Sequence, residues 1–573
     1  MEKINKAWSI LLPQEKKMLI ILMFMKIIGM LLEVFGIALI IPLISIILKK
    51  DTEIFNFDVS YFLEYLNFGN QLNPTTTIVI FIIFIYLLKN LFLIFLVWIE
   101  AKFTYGVTAR ISKDLFKGYI SLPYHFHLKE NTSKMVYNAT SAVDLYKSTL
   151  QHMAILVSEL FTLVGISTFL IFIEPFGFVC AAGLISLITL MYYRIHKKKV
   201  FEWGVKTQFH QKGRIKNLMQ GFGAIKDITI LGLQDFFIKM YDVHNIETAK
   251  LNQRNSVINQ FPKYILEFFG VVGILTLLLV LKIKINNVEN IIIILGVFAA
   301  ASFRLMPSAN RILSTVQGFR FSIATIDNLS SEFDVIKKNA ILINQNKKNN
   351  LADINKFSLI NVSYKYPNTE KYILKNISLT IKKGEILGLS GKTGSGKSTL
   401  VDIITGLLNF STGEIVIDEK KFNKIPDFWQ RNIGYVPQNI YLLDDTIKKN
   451  IALGVDDKNI NVLKINEVIN LSGLKELIAS LPEGVDTEVG ERGARLSGGE
   501  KQRIGIARSL YNNPHILILD EATNALDVKT EELVMSSIKK IQSKKIIFVI
   551  SHKKITLGFC NKVIDLKEGT LTK

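Results

Sequence analysis

The stretch Glu385-Ile386-Leu387-Gly388-Leu389-Ser390-Gly391-Lys392-Thr393-Gly394-Ser395-Gly396-Lys397-Ser398-Thr399 decides the fold of the second half of this chain. Residues 385–390 have the length and apolarity of a buried strand, and an apolar-periodic helix opens with Thr399-Leu400-Val401. Between them, Gly391 to Ser398 follows the spacing G-x-x-x-x-G-K-S. The glycines let the backbone curl until successive N–H groups across 391–399 point at phosphate oxygens, at the positive end of a helix. Lys397 then bridges the β- and γ-phosphates and Ser398 ligates Mg2+. The pattern predicts ATP with Mg2+ in an α/β domain, and short β-branched runs alternating with helical patterns predict a largely parallel sheet around it.

A second apolar strand, His515-Ile516-Leu517-Ile518-Leu519-Asp520, runs directly into Glu521. It seats Asp520 at the carboxyl edge of the sheet, where it holds the metal's water shell. Glu521 follows as the general base that orients and deprotonates the attacking water. Between the two strands, Leu496-Ser497-Gly498-Gly499-Glu500-Lys501-Gln502-Arg503 precedes a helix. Ser497, Gly498 and Gly499 there offer a hydroxyl and bare N–H groups at a helix N-terminus, a second anion site. One nucleotide has one γ-phosphate, so this second site suggests service to the ATP of a partner chain.

These residues make the second half resemble the nucleotide-binding domain of ABC transporters. Leu496–Glu500 stands as the signature motif, with Glu where Gln is commoner. The resemblance implies further roles in order along the chain. Tyr366, before Pro367, stacks on adenine, and Gln438 in Tyr435-Val436-Pro437-Gln438 senses Mg2+ and the membrane domain. Thr487–Gly493 matches a segment typical of exporters. Asn524-Ala525-Leu526-Asp527 matches the D-loop, with Asn524 where Ser is usual and no loss of function expected. His552 in Ile550-Ser551-His552 contacts the γ-phosphate. The implied catalytic set is Glu521, His552 and Gln438; Tyr366, residues 391–399, Ser497, Gly498, Gly499 and Asp527 hold nucleotide, and Ser398, Gln438 and Asp520 hold the metal. With every position filled, the site is expected to hydrolyse ATP.

The first half has a different composition. The 573 residues are 49% hydrophobic and 21% charged, and mean hydropathy is +0.30. Such values coexist when one part is lipid-embedded and another is an ordinary soluble domain. Segments near 18–48, 77–99, 150–173, 176–193, 264–282 and 290–310 are each long enough to cross a bilayer, which needs about 20 apolar residues. The first is too long, and lacks the small-residue cleavage site, for a signal peptide. Segment 51–74 has no Lys or Arg, whereas 101–147 holds seven against three acids and 194–263 thirteen against five. Positive loops stay cytoplasmic, which places both termini inside and 51–74 outside. The net charge of +20 then follows from topology and anionic lipid, and without a recognition module nucleic acid is not an expected partner. Cys180 and Cys560 are the only cysteines, which excludes a disulfide scaffold and a cysteine zinc site.

The expected fold is therefore an α-helical six-span transmembrane domain (1–335) with long cytoplasmic helix extensions, a polar linker (336–356) and an α/β P-loop nucleotide-binding domain (357–573). The whole resembles an exporter-type half-transporter. That implies a homodimer with two shared ATP sites, docking of the turns near Tyr124–Lys134 and Gly221–Gln234 on the nucleotide domains, and tilting of the bundle between two states.

Ionisable residues within membrane segments are costly, so Glu33, Lys89, Glu159, Glu267, Arg304 and Arg311 are functional candidates. Lys89 lies twelve residues past Thr77, about 18 Å down, and Arg304 fourteen past Asn290, about 21 Å down. Arg311 is one to two turns nearer the cytoplasm and on nearly the same face as Arg304. The three cations are expected to bind an anionic substrate, with Glu159 neutralising one of them as the plain alternative. Val59, Phe62, Leu63 and Leu66 share one face of an external helix lying on the membrane or packed on the bundle. The runs Leu32–Ile37 ending near Pro42, Pro262–Glu267 and Arg304–Ser308 with Arg311 resemble the glycan-lipid subgroup, including the lipid-linked oligosaccharide flippases of bacterial protein N-glycosylation. That resemblance implies a polyprenyl-pyrophosphate-linked oligosaccharide as cargo and the bacterial inner membrane as location. The competing cargos are another lipid, a drug or a peptide. An ATP-gated channel or regulatory membrane protein is the competing class, and would commonly lose a catalytic residue or gain a regulatory insert.

Overall fold

The computed structural model describes residues 2–39, 74–173, 175–284, 288–343, 354–366 and 369–572. The expected external residues 51–73, with their 59–66 helix, lie outside the described residues, as do Pro42 and residues 344–353 of the expected linker. The chain divides into a helical unit, 1–122 with 130–340, and a second unit, 123–129 with 341–573.

The helical unit is built from Pro13–Ala38, Pro74–Ile120, Val143–Ile173, Pro175–Gly223, Gln234–Lys284 and Val288–Ser322. Among the described residues, Pro13–Ala38, Val79–Ile120, Thr132–Ile173 and Gln234–Ile283 are long and apolar enough to cross a membrane. The expected spans 176–193 and 290–310 fall inside the continuous helices Pro175–Gly223 and Val288–Ser322. Ile80, Ile83, Phe84, Leu87 and Leu91 stand exposed along one such helix, as lipid contact requires. At 1.5 Å per residue the 49 residues of Pro175–Gly223 run about 74 Å, more than twice a hydrocarbon core of about 30 Å. That length leaves room for the expected extensions beyond a bilayer. Between this helix and the next, Ile225–Leu231 forms a short helix ended by Gly232 at φ +65°.

Two expected boundaries shift. Residues 336–343, read as linker, continue the helix Ala324–Ile343, because the run Asn339-Ala340-Ile341-Leu342-Ile343 holds no breaker. Residues 123–129, read with the membrane domain, group with the second unit.

The second unit has two sheets. One is antiparallel, in the order β2 (Leu374–Lys382), β1 (Lys356–Tyr364), β4 (Thr412–Ile417), β5 (Lys420–Phe422). The other runs β10 (Thr570–Thr572), β9 (Lys562–Lys567), β3 (Ile386–Ser390), β8 (Ile546–Ile550), β7 (Ile516–Asp520), β6 (Ile433–Val436). All its pairings from β9 to β6 are parallel. Strands buried on both faces read as unbroken apolar runs, and β7 and β8 do so. Ile516, Ile518, Ile546, Phe548 and Ile550 point into the core shared with the antiparallel sheet, where Trp429 stacks on Phe357. Leu517, Leu519, Ile547 and Val549 point into the opposite core, against helices such as Gly498–Tyr511 and Val528–Ile541.

Candidate functional site

Strand β8 sets the register of the expected ATP site. Ile550 pairs with Leu389 of β3, and it also pairs with Asp520 of β7. The loop after β3, Glu521 and the segment Ser551–His552 therefore leave the sheet at one edge. Val436 pairs with Leu519, which carries Gln438 to the same edge.

In the phosphate loop, Gly391, Gly394 and Gly396 take φ of +148°, +82° and +104°, backbone states open to glycine. A Cβ at Gly391 would meet the Leu566 carbonyl oxygen at 2.4 Å. Lys397 opens the helix Lys397–Ile404, and its Nζ donates to the Gly391 carbonyl at 2.6 Å and that of Lys392 at 3.1 Å. Ser395 Oγ is buried without a hydrogen-bond partner, a donor that an anionic oxygen would satisfy. Ser398 follows Lys397 on the helix, exposed, and Thr399 is buried, with Oγ1 3.3 Å from the Tyr366 hydroxyl. Lys392 and Thr393 are exposed at the turn of the loop.

Two carboxyl groups sit below this loop. Burial raises the Asp520 carboxyl above its usual range, with Glu521 adding to the rise, and Tyr435 donates to it at 3.2 Å. Burial pushes Asp402, on the phosphate-loop helix, to about 6, with the charge of Asp520 adding to the rise. Carboxylates crowded in this way suit a divalent cation, which relieves both penalties. Asp520 and Ser398 would hold Mg2+, which when bound neutralises charge at the β- and γ-phosphates.

Glu521 gathers the expected catalytic residues. Its carboxylate accepts from Gln438 Nε2 at 2.8 Å, and His552 Nε2 lies 3.6 Å away. With its amide nitrogen on Glu521, Gln438 keeps Oε1 for a cation. Asn524, to which no role had been given, donates to the same carboxylate at 2.7 Å. Its place three residues after Glu521, in the following turn, was the available signal. Gln502 ties that turn to the signature helix, accepting from Ala525 N at 2.9 Å.

The signature residues serve their helix first. Ser497 Oγ accepts from Glu500 N at 3.3 Å and the Glu500 carboxylate accepts from Ser497 N at 2.7 Å, a reciprocal cap on Gly498–Tyr511. Gly499 leaves little room for a side chain, since a Cβ there would lie 3.0 Å from the Ala525 carbonyl oxygen. Asp527, expected at nucleotide, caps Val528–Ile541 by accepting from Thr530 N at 3.0 Å.

In the helical unit, Lys89, Arg304 and Arg311 line one cavity of about 440 Å³, together with Lys26, Glu33 and Glu159. Glu159 pairs with Arg311 at 2.9 Å. The plain alternative undercounted the acids, because Glu33 takes Arg304 at 2.7 Å. Lys89 stands over the Tyr86 ring at 4.1 Å. A second cavity of about 670 Å³, walled by residues such as Leu19, Met23, Phe103 and Phe319, shares Lys26 and Glu100 with the first. Those two form an ion pair at 3.0 Å. Glu267 is not among the residues lining either cavity.

Residues 374–524 match the family described as ABC transporter. The chain is 28% identical over 524 residues to a multidrug resistance-like ATP-binding protein, MdlA, of Buchnera aphidicola subsp. Schizaphis graminum, covering 88% of this chain and 86% of that one. It is 26% identical over 490 residues to the ATP-dependent lipid A-core flippase of Photobacterium profundum, covering 83% and 80%. A solved bacterial Atm1-family ABC exporter with ATP bound shares its fold, with TM-score 0.77 and 19% identity over 98% of this chain and 95% of that one. Residues 374–524 thus match the ABC transporter family, and the chain, with helices long and apolar enough to cross a membrane ahead of that domain, shares the fold of an ABC exporter.

Proposed function

We propose that this chain forms a homodimeric transporter in the bacterial inner membrane that flips a polyprenyl-pyrophosphate-linked oligosaccharide or a related anionic glycolipid. The observation that carries the reading is the charged cavity, where four cations (Lys26, Lys89, Arg304, Arg311) face three carboxylates (Glu33, Glu100, Glu159). Two arginines at membrane depth offer bidentate donors to a desolvated diphosphate, which would exchange with Glu33 and Glu159 as their partner. The adjoining apolar cavity suits an amphiphile. ATP hydrolysis is assigned to Glu521 as base, held by Gln438, Asn524 and His552, with Lys397 on the phosphates. The homodimer is supported by the complete set of ATP-site residues and by Ile225, Ile230 and Leu231, which stand exposed on a helix of the helical unit. A partner's nucleotide-binding domain would cover that apolar tip.

The test is lipid-linked glycan flipping in proteoliposomes. Arg304→Ala with Arg311→Ala should abolish flipping while basal ATPase remains. Because lone removal of a cation strands a buried acid, Arg304→Gln with Glu33→Gln serves as the balanced variant and should lose flipping too. Wild-type flipping in both would end the anion-cavity reading. The apolar cavity and the multidrug resistance-like relative favour a second reading, an exporter of uncharged lipid or drug, which both variants would leave working.

A further inference from the structure

Residues 123–129 lie between two long helices in sequence, yet they group with the ATP-binding unit. Their helix, Tyr124–Lys129, brings His125 into the wall of a cavity of about 660 Å³ that is also lined by Tyr364, Lys365, Tyr366, Glu370 and Asn409. Tyr366 is therefore common to this cavity and to the nucleotide site. Its position is held on several sides. The hydroxyl lies 3.3 Å from Thr399 Oγ1, the carbonyl accepts from Thr369 N at 3.1 Å and Thr369 Oγ1 at 2.8 Å, and the ring meets Tyr364 edge-on at 5.1 Å. Tyr124 reaches the same region. Burial raises its phenol above the usual range, with Asp402 and Tyr366 adding to the rise. Asp402 belongs to the helix that opens with Lys397, so Tyr124–Lys129 approaches the nucleotide from beside the phosphate-loop helix and Tyr366.

A cavity of this size is on the scale of a bound small molecule. An imidazole, an ammonium, a carboxylate and an amide in its wall are groups that read donors and acceptors on a base. We propose that the helix Tyr124–Lys129 forms part of the base site for ATP, with His125 contacting the polar edge of the purine that stacks on Tyr366. The inference rests on the stacking assignment of Tyr366. The triphosphate is gripped by residues 391–399 whether or not the base is present. The base is what holds residues 123–129 to the bound nucleotide.

The test uses the full-length protein, photolabelled with 8-azido-ATP and mapped by mass spectrometry. Label is expected on the peptide containing His125 and on the one containing Tyr366. Label on the Tyr366 peptide alone overturns the inference and leaves the stacking assignment standing; label on neither removes both. Kinetics give an independent readout. His125→Ala should raise KM for ATP by roughly three- to tenfold, the loss of one polar contact. Inhibition by inorganic tripolyphosphate, which has no base, should keep its wild-type constant. An unchanged KM for ATP overturns the proposal, and so does an equal weakening of ATP and tripolyphosphate, which would place the damage in the phosphate loop.

Discussion

At Glu521 the backbone takes φ +50°, a left-handed state that a non-glycine residue adopts at a cost on the order of 1–3 kcal/mol. The surrounding hydrogen bonds over-determine it: Glu521 N donates to the Ile550 carbonyl at 3.0 Å, while Gln438 and Asn524 hold its carboxylate. Strain retained at a carboxylate with three polar neighbours marks a group whose direction matters. Glu521→Gln preserves size but removes the base and one acceptor. Nucleotide binding should persist while ATPase turnover falls by roughly 10²–10⁴, measured as phosphate release. Normal turnover in that variant would reassign the base. Asn524→Ala removes one of the two donors to Glu521 and should lower kcat about tenfold or less, with KM for ATP little changed.

The phosphate loop shows what an element imposes. Strand β3 is locked beside β9 through the pairs Leu389↔Ile564 and Ser390↔Asp565, so the Leu566 carbonyl next to Gly391 cannot retreat. Gly391→Ala therefore places its Cβ against fixed backbone, and the loop must leave its phosphate-binding path. Retention of ATP binding by equilibrium titration should drop more than about tenfold, with a fall of several degrees in Tm. Wild-type affinity would show that the loop does not need this register. The signature helix makes a complementary point. Glu at position 500 completes the cap with Ser497, so the departure from the commoner Gln carries no structural penalty at this helix end.

At the scale of the whole molecule, the signature serine and the phosphate-loop lysine test assembly. Ser497→Arg should block the ATP of the opposite chain and leave its own phosphate loop intact, whereas Lys397→Ala weakens phosphate binding in its own chain. Mixing the two variants should restore one of two composite sites in a mixed dimer, read as ATPase above either parent. No gain on mixing, with mixed dimers verified by differential tags, would refute shared sites.

The sequence by itself determined the path of the phosphate loop. That loop is contiguous, and glycine, lysine and serine at set spacing between a strand and a helix dictate one backbone path that needs no distant partner. The apolar runs of β7 and β8 likewise announced strands buried on both faces. Tertiary structure alone decided the rest. Glu33 meets Arg304 across 271 positions of sequence, and membrane helices apolar on nearly every face carry little periodic signal for which way each residue turns. The same holds for Asp402 beside Asp520, and for residues 123–129, whose place in the ATP-binding unit depends on where long helices end in space. Local patterns report backbone conformation; the pairing of charges depends on helix rotation and register, which packing sets.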